Sequence, residues 1–133
     1  MVVKILHKCM LEKDGKILLL KRSDNDTLGG KWDFAGGNIE ALEKSEDCVR
    51  REVLEESGLR VFDIERIGID EVIIKKNKRH YIVFYYSGKV KSSDVVLSNE
   101  HSDFKWVKKK DLFKVRDLHP FFRMSKDLKK STT

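Results

Sequence analysis

Proline is almost absent from this chain: Pro120 stands alone among 133 residues, which excludes proline-rich linkers and polyproline repeats. Cysteine is nearly as scarce. Cys9 and Cys48 lie 39 positions apart, with no CxxC pair and no histidine at ligand spacing, so neither a disulfide framework nor a zinc site fits. Both are expected to be small buried hydrophobes. Apolar runs such as Ile17-Leu18-Leu19-Leu20 fall far short of the roughly 18 residues of a membrane helix. The opening Met1-Val2-Val3-Lys4-Ile5 lacks the layout of a signal peptide, so a cytoplasmic location is expected. Internal repeats and low-complexity tracts are missing as well.

What is present is ionic. Charged residues make up 38% of the chain and hydrophobic ones 40%, enough for a core under a densely charged surface. The length argues for one domain spanning residues 1–133. Lys and Arg number 28 against 22 Asp and Glu, a net +6. That excess is local: residues 104–133 hold ten basic and three acidic residues, while residues 1–103 hold eighteen and nineteen. A basic C-terminal quarter suits nucleic acid, a polyphosphate ligand or a solvated face, and charge alone leaves all three open.

Turn and periodicity signals divide the chain. Val2 to Met10 and Lys16 to Lys21 read as strands joined at Asp14-Gly15 into a hairpin. Ser23 to Lys31 reads as a loop, and Trp32 to Phe34 as a short strand broken by Gly36-Gly37. A helix starts at Ser45, with Ser45 as its cap, Glu46 and Asp47 in the first turn, and Gly58 as the terminating glycine. Strands are predicted over Val61 to Ile64, Ile67 to Ile74, His80 to Tyr86 and Phe104 to Val107. A short helix is expected at Asp111-Leu112-Phe113 and a final one over Pro120 to Lys130. This order predicts an α/β or α+β sandwich. Tyr81, Phe84, Tyr85 and Tyr86 are expected to pack the sheet, and Lys108-Lys109-Lys110 to form a solvated turn.

The chemistry concentrates in Gly37 to Leu59. At about 100° per residue, Glu55 falls at about −60° and Glu56 at about +40° from Glu52, so three carboxylates share one helix face. Such a cluster repels itself unless a cation sits within it, and hard oxygen ligands at this density suit Mg²⁺ or Mn²⁺. Val49 and Val53 border the face and should be buried, which places the acids at the floor of a cleft. Taken alone, RREVLEES reads as well as an ordinary salt-bridged helix. The wider spacing does not: Gly37, Glu43, Arg51-Glu52-Val53, Glu55-Glu56 and Gly58-Leu59 together make nine specified positions, a chance match of roughly one in 10⁹.

That pattern is a complete Nudix box, and the chain resembles the Nudix hydrolases of the MutT-like branch. The likeness extends to Lys31-Trp32-Asp33-Phe34-Ala35-Gly36-Gly37-Asn38-Ile39-Glu40, to Leu20-Lys21-Arg22, and to Glu100-His101-Ser102-Asp103-Phe104-Lys105-Trp106-Val107. It implies an α/β/α sandwich with a mixed central sheet and a loop–helix–loop motif. It also implies divalent-metal-dependent hydrolysis of a nucleoside diphosphate linked to another group, with Mg²⁺ or Mn²⁺ as cofactor. On the matched positions, the Gly37 carbonyl, Glu52, Glu55, Glu56 and Glu100 are the expected metal ligands. Glu52, Glu55 and Arg51 are the expected catalytic set, with Glu52 as general base, while Glu43 and Arg51 brace the motif. Arg22 is expected on the substrate phosphates, and Phe121 or its neighbour Phe122 on the base.

Two departures touch loop shape. Ala35 replaces a usual proline, and Ala41-Leu42 replaces a turn that normally ends in glycine. His119-Pro120-Phe121-Phe122 stands where some members present an asparagine to oxidised guanine. The resemblance favours a nucleoside triphosphate or similar small nucleotide, with capped RNA a lesser possibility, no membrane partner, and a monomer or homodimer left open. The competing reading is a non-catalytic nucleotide- or RNA-binding protein on the same fold. His7, His80, His101 and His119 are expected in structural or exposed roles, with His101 and His119 nearest the predicted cleft.

Overall fold

The computed structural model describes residues 3–25 and 28–133. Strands β1 (Val3–Lys13) and β2 (Lys16–Arg22) form the expected hairpin. Its turn places Asp14 and Gly15 at φ 52° and 76°, the left-handed pair that suits a tight two-residue connection. Val2, included in the first predicted strand, lies outside the described residues. β1 runs parallel to β6 (Arg79–Lys89), from Val3 opposite His80 to Glu12 opposite Lys89. The other strand pairs are antiparallel, β5 (Phe62–Ile74) on β6, β4 (Ala35–Asn38) on β1, and β3 (Trp32–Asp33) and β7 (His101–Lys108) on β2, while an isolated parallel bridge joins Trp32 to Leu118.

The central strands are buried on both faces, which is why Ile17 to Leu20 is apolar without alternation. Leu18 and Leu20 join Cys9, Leu11 and Tyr86 under α1 (Ser45–Ser57), which contributes Val49 and Val53. Ile17 and Leu19 join Met10, Val83 and Tyr85 on the opposite face. There Leu112, Phe122 and Leu128 cover them from a 3-10 turn (Lys109–Lys114), α2 (Pro120–Arg123) and α3 (Lys126–Ser131). The result is the α/β/α sandwich with a mixed sheet. Both cysteines are free and buried, and burial pushes each thiol up to about 12, as expected of inert side chains.

Four local readings are corrected. Ser45 does not cap α1: Lys44 holds that position without a side-chain bond, and the Ser45 hydroxyl meets His7 Nε2 at 3.3 Å instead. Gly36-Gly37 does not end a strand but runs within β4, opposite Lys8 and His7. The two strands predicted between Val61 and Ile74 are one strand, β5, whose register shifts at Phe62/Glu65 and Arg66/Gly68 break the alternation that suggested two. The last helix is split because Ser125, extended at φ −75° and ψ 118°, accepts the Leu128 N–H at 3.2 Å and starts α3 afresh.

Candidate active site

Helix α1 ends where expected, at Gly58 with φ 73°. Its valines anchor the inner face, and the three glutamates radiate from that anchor to different depths. Glu56 is only 5% exposed, whereas the Glu55 side chain is 57% exposed. Glu52 lies between them, its carboxylate pressed on β4: a Cβ added at Gly37 would stand 2.7 Å from it. Glu56 reaches the same strand and accepts the Gly36 N–H at 2.8 Å. Gly36 itself passes so close to β1 that an added Cβ would lie 1.9 Å from the His7 carbonyl oxygen, at φ 154°.

Arg51 ties this arrangement together. Its Nε donates to Glu43 Oε2 at 2.7 Å and its second terminal nitrogen to Glu43 Oε1 at 3.0 Å, a bidentate pair. It also donates to Glu52 Oε1 at 2.8 Å and to the Asn38 carbonyl at 3.1 Å, and lies 3.5 Å from Glu55 Oε2. The Arg51 hydrogen bonds hold the Glu43 carboxyl down at about 2. Glu43 in turn accepts the Glu40 N–H at 3.0 Å and closes the loop between β4 and α1. Within that loop Leu42 adopts φ 65°, so the left-handed turn persists without its glycine.

Beside Glu56, β7 supplies Glu100 just before its start and His101 at its first residue. One ligand atom each from Glu56, Glu100 and His101 lies within 4.8 Å of the others. Burial is the leading cause of each displaced proton equilibrium here. It pushes the Glu56 carboxyl up to about 8, raises Glu52, and lowers His101. Buried carboxylates held in this state beside an uncharged imidazole fit a divalent cation, which would favour their ionised form.

A basic and aromatic wall completes the cleft. Asp33 is fully buried in β3 and accepts from Lys8 Nζ at 3.1 Å and from Arg22 at 2.8 Å, all through Oδ2. Burial alone would raise Asp33, but Lys8, His119 and Arg22 outweigh it and its carboxyl is lowered. His119, buried and held near pKa 4 chiefly by desolvation, is neutral and accepts the Phe121 N–H at 3.1 Å through Nδ1. Phe121 packs at 5.3 Å from the Tyr81 ring. The cleft encloses about 910 Å³, and Arg22, Glu52, Glu56, Glu100 and Phe121 all line it with Gly37 and Arg51.

Of the residues expected at the site, Glu55, Glu43 and Phe122 stand outside that lining: Glu43 lies behind Arg51, and Phe122 is buried in the core against Phe34, so it is not free to meet a base. His101 opens β7, and His101 and His119 are both buried at the cleft, as their expected nearness to it requires. Lys8, Asp33 and Tyr81 were not anticipated there. The available signal for the first two was a lone charge inside an apolar strand, but nothing in the sequence joins partners 25 residues apart. The C-terminal quarter gives the cleft only His119 and Phe121, and its cations come instead from Lys4, Lys8, Arg22, Arg51 and Arg79.

A mixed sheet carrying a braced acidic helix against a cationic, aromatic cleft suits a polyphosphate ligand beside a divalent cation. Comparison with known proteins makes the class specific. The NUDIX domain family model matches residues 7–126. Nucleoside triphosphatase NudI of Escherichia fergusonii is 30% identical over 114 residues, covering 77% of this chain and 80% of that protein. The crystal structure of a MutT protein from Methanosarcina mazei Go1 superposes with TM-score 0.80 at 29% identity, over 98% of this chain and 92% of that one. A MutT NUDIX hydrolase from Burkholderia pseudomallei shares the fold with TM-score 0.83 at 24% identity, over 97% and 98% of the two chains. This chain belongs to the NUDIX family and is a MutT-like Nudix hydrolase. Among the described residues no helix is long and apolar enough to cross a membrane.

Proposed function

We propose that this enzyme hydrolyses a nucleoside triphosphate to the monophosphate and pyrophosphate, with Mg²⁺ or Mn²⁺ as cofactor. The observation that carries the reading is the meeting of Glu52, Glu56 and Glu100 with Lys8 and Arg22 around one cleft of about 910 Å³, a size suited to a nucleotide. The name of the Escherichia fergusonii relative, a nucleoside triphosphatase, supports the choice of substrate class.

Glu52, Glu56, Glu100 and the Gly37 carbonyl would hold the cation, with Glu55 at the outer rim. When bound, the cation neutralises phosphate oxygens and makes water a better nucleophile. We assign the proton of the attacking water to Glu52, the carboxylate that lies against β4 inside the cleft. The water oxygen bonds to phosphorus as the bridging P–O bond breaks, and pyrophosphate leaves with that bond's electron pair. Arg22, steadied by Asp33, and Lys8 offset charge along the phosphates. Phe121 stacks on the base. Arg51 and Glu43 keep the helix and its loop in register, so the carboxylates stay aimed into the cleft.

A substrate panel tests this reading. It contains canonical and oxidised nucleoside triphosphates, dinucleoside polyphosphates, nucleotide sugars, ADP-ribose and capped RNA, each with Mg²⁺ or Mn²⁺. A nucleoside triphosphate turned over to monophosphate and pyrophosphate is the expected leading result. Turnover confined to capped RNA or nucleotide sugars would overturn the substrate assignment, and binding without turnover of any member would favour a non-catalytic role.

A further inference from the structure

His101 is 7% exposed, and its Nδ1 is fully buried with no hydrogen-bond partner among the described residues. A ring nitrogen in that position has given up water without a protein partner in exchange, a cost that a bound cation would offset. Glu56 and Glu100 each place a carboxylate oxygen within 4.8 Å of an imidazole nitrogen of His101, and the same oxygens lie within that distance of one another. Backbone pairing keeps the ring in place: His101 is paired with Arg22 at the irregular end of the β2–β7 ladder, and its N–H is donated to the Ser98 carbonyl. Glu52 and Glu55, which share the helix face with Glu56, do not belong to this three-residue group.

We infer that His101 is a nitrogen ligand to the catalytic cation beside Glu56 and Glu100, and that it biases the site toward Mn²⁺ and similar transition metals over Mg²⁺. The inference rests on the metal-dependent reading given above and deepens it. Mg²⁺ is held through carboxylates, waters and phosphate oxygens, and gains little from imidazole. Imidazole is a borderline ligand, and divalent transition metals gain from it in the usual order of affinity. One nitrogen among oxygens therefore changes selectivity more than it changes the capacity to bind.

The test uses the full chain, stripped of metal and loaded with Mn²⁺ alone. Pulsed electron paramagnetic resonance is expected to show coupling to a directly bound nitrogen, absent in His101→Gln. Calorimetry is expected to show the Mn²⁺ dissociation constant rising on the order of tenfold in that variant, with Mg²⁺ affinity changed by no more than about twofold. His101→Leu, which offers the cation no donor atom, provides a second variant if glutamine disturbs folding. A wild-type spectrum without nitrogen coupling overturns the inference without recourse to any variant. So does coupling that survives in the variants, or an equal loss of affinity for both metals. Tight Mn²⁺ binding with no nitrogen coupling removes only the role of His101, whereas no Mn²⁺ binding at all removes the metal-dependent reading with it.

Discussion

Glu56 carries its carboxyl into a nearly closed position, where desolvation pushes its pKa from 4.5 up to about 8. In metal-free protein the folded state therefore keeps a proton that the unfolded state loses between those two values. Folded stability should fall as pH rises through that window, because the native state binds more protons there. Glu56→Gln removes the dependence. In chelator, its melting temperature is expected to exceed that of the wild type at pH 8 and to approach it near pH 4.5. Parallel curves for the two proteins would contradict the assignment. The common helix face of Glu52, Glu55 and Glu56 is legible in the sequence, since it follows from 100° per residue. Their unequal depth is not, because it is set by β4 passing the helix at two glycines that look from sequence like a break. The buried link of Lys8 to Asp33 is equally invisible, as it depends on which strands become neighbours.

The loop and helix α1 behave as one braced element. Arg51 joins Glu43, Asn38 and Glu52, and its fork geometry is what permits two parallel bonds to one carboxylate. Arg51→Lys keeps the charge and loses the fork. It should lower Tm by roughly 5 °C and reduce kcat as the carboxylates lose their aim. Thermal unfolding and steady-state kinetics on the same preparation check both parts. Leu42 presents the opposite case: at φ 65° and fully exposed, it holds a conformation that glycine takes without steric cost. Leu42→Gly is expected to stabilise the protein by about 0.5–1 kcal/mol in denaturant unfolding, since relief of strain exceeds the added chain entropy. The box helix and its glycine stop are legible because capping and periodicity are local. The C-terminal pair of helices is not, because Ser125 reads equally well as a helix interior residue and as a cap.

Across the whole molecule, the net charge of +6 separates into two regions with different settings. The acidic site faces cations from Lys8, Arg22 and Arg51, while Lys108, Lys109 and Lys110 gather around the β1–β2 turn. That turn and Arg22 lie at opposite ends of β2, about 20 Å apart along the strand. Replacing Lys108, Lys109 and Lys110 with serine should leave kcat/KM for a nucleotide within about twofold, at most a weak long-range effect at physiological salt. Arg22→Ala should raise KM instead. The sign of the charge was plain from composition, but its direction was not, since only the sheet order places the C-terminal lysines away from the cleft. Hydrolysis at this cleft is decided by product analysis with a nucleoside triphosphate and Mg²⁺ or Mn²⁺. Wild-type protein should release monophosphate and pyrophosphate in equal amounts, with turnover abolished by chelator and reduced at least about 100-fold in Glu52→Gln. Undiminished turnover in Glu52→Gln, or in the presence of chelator, would contradict it.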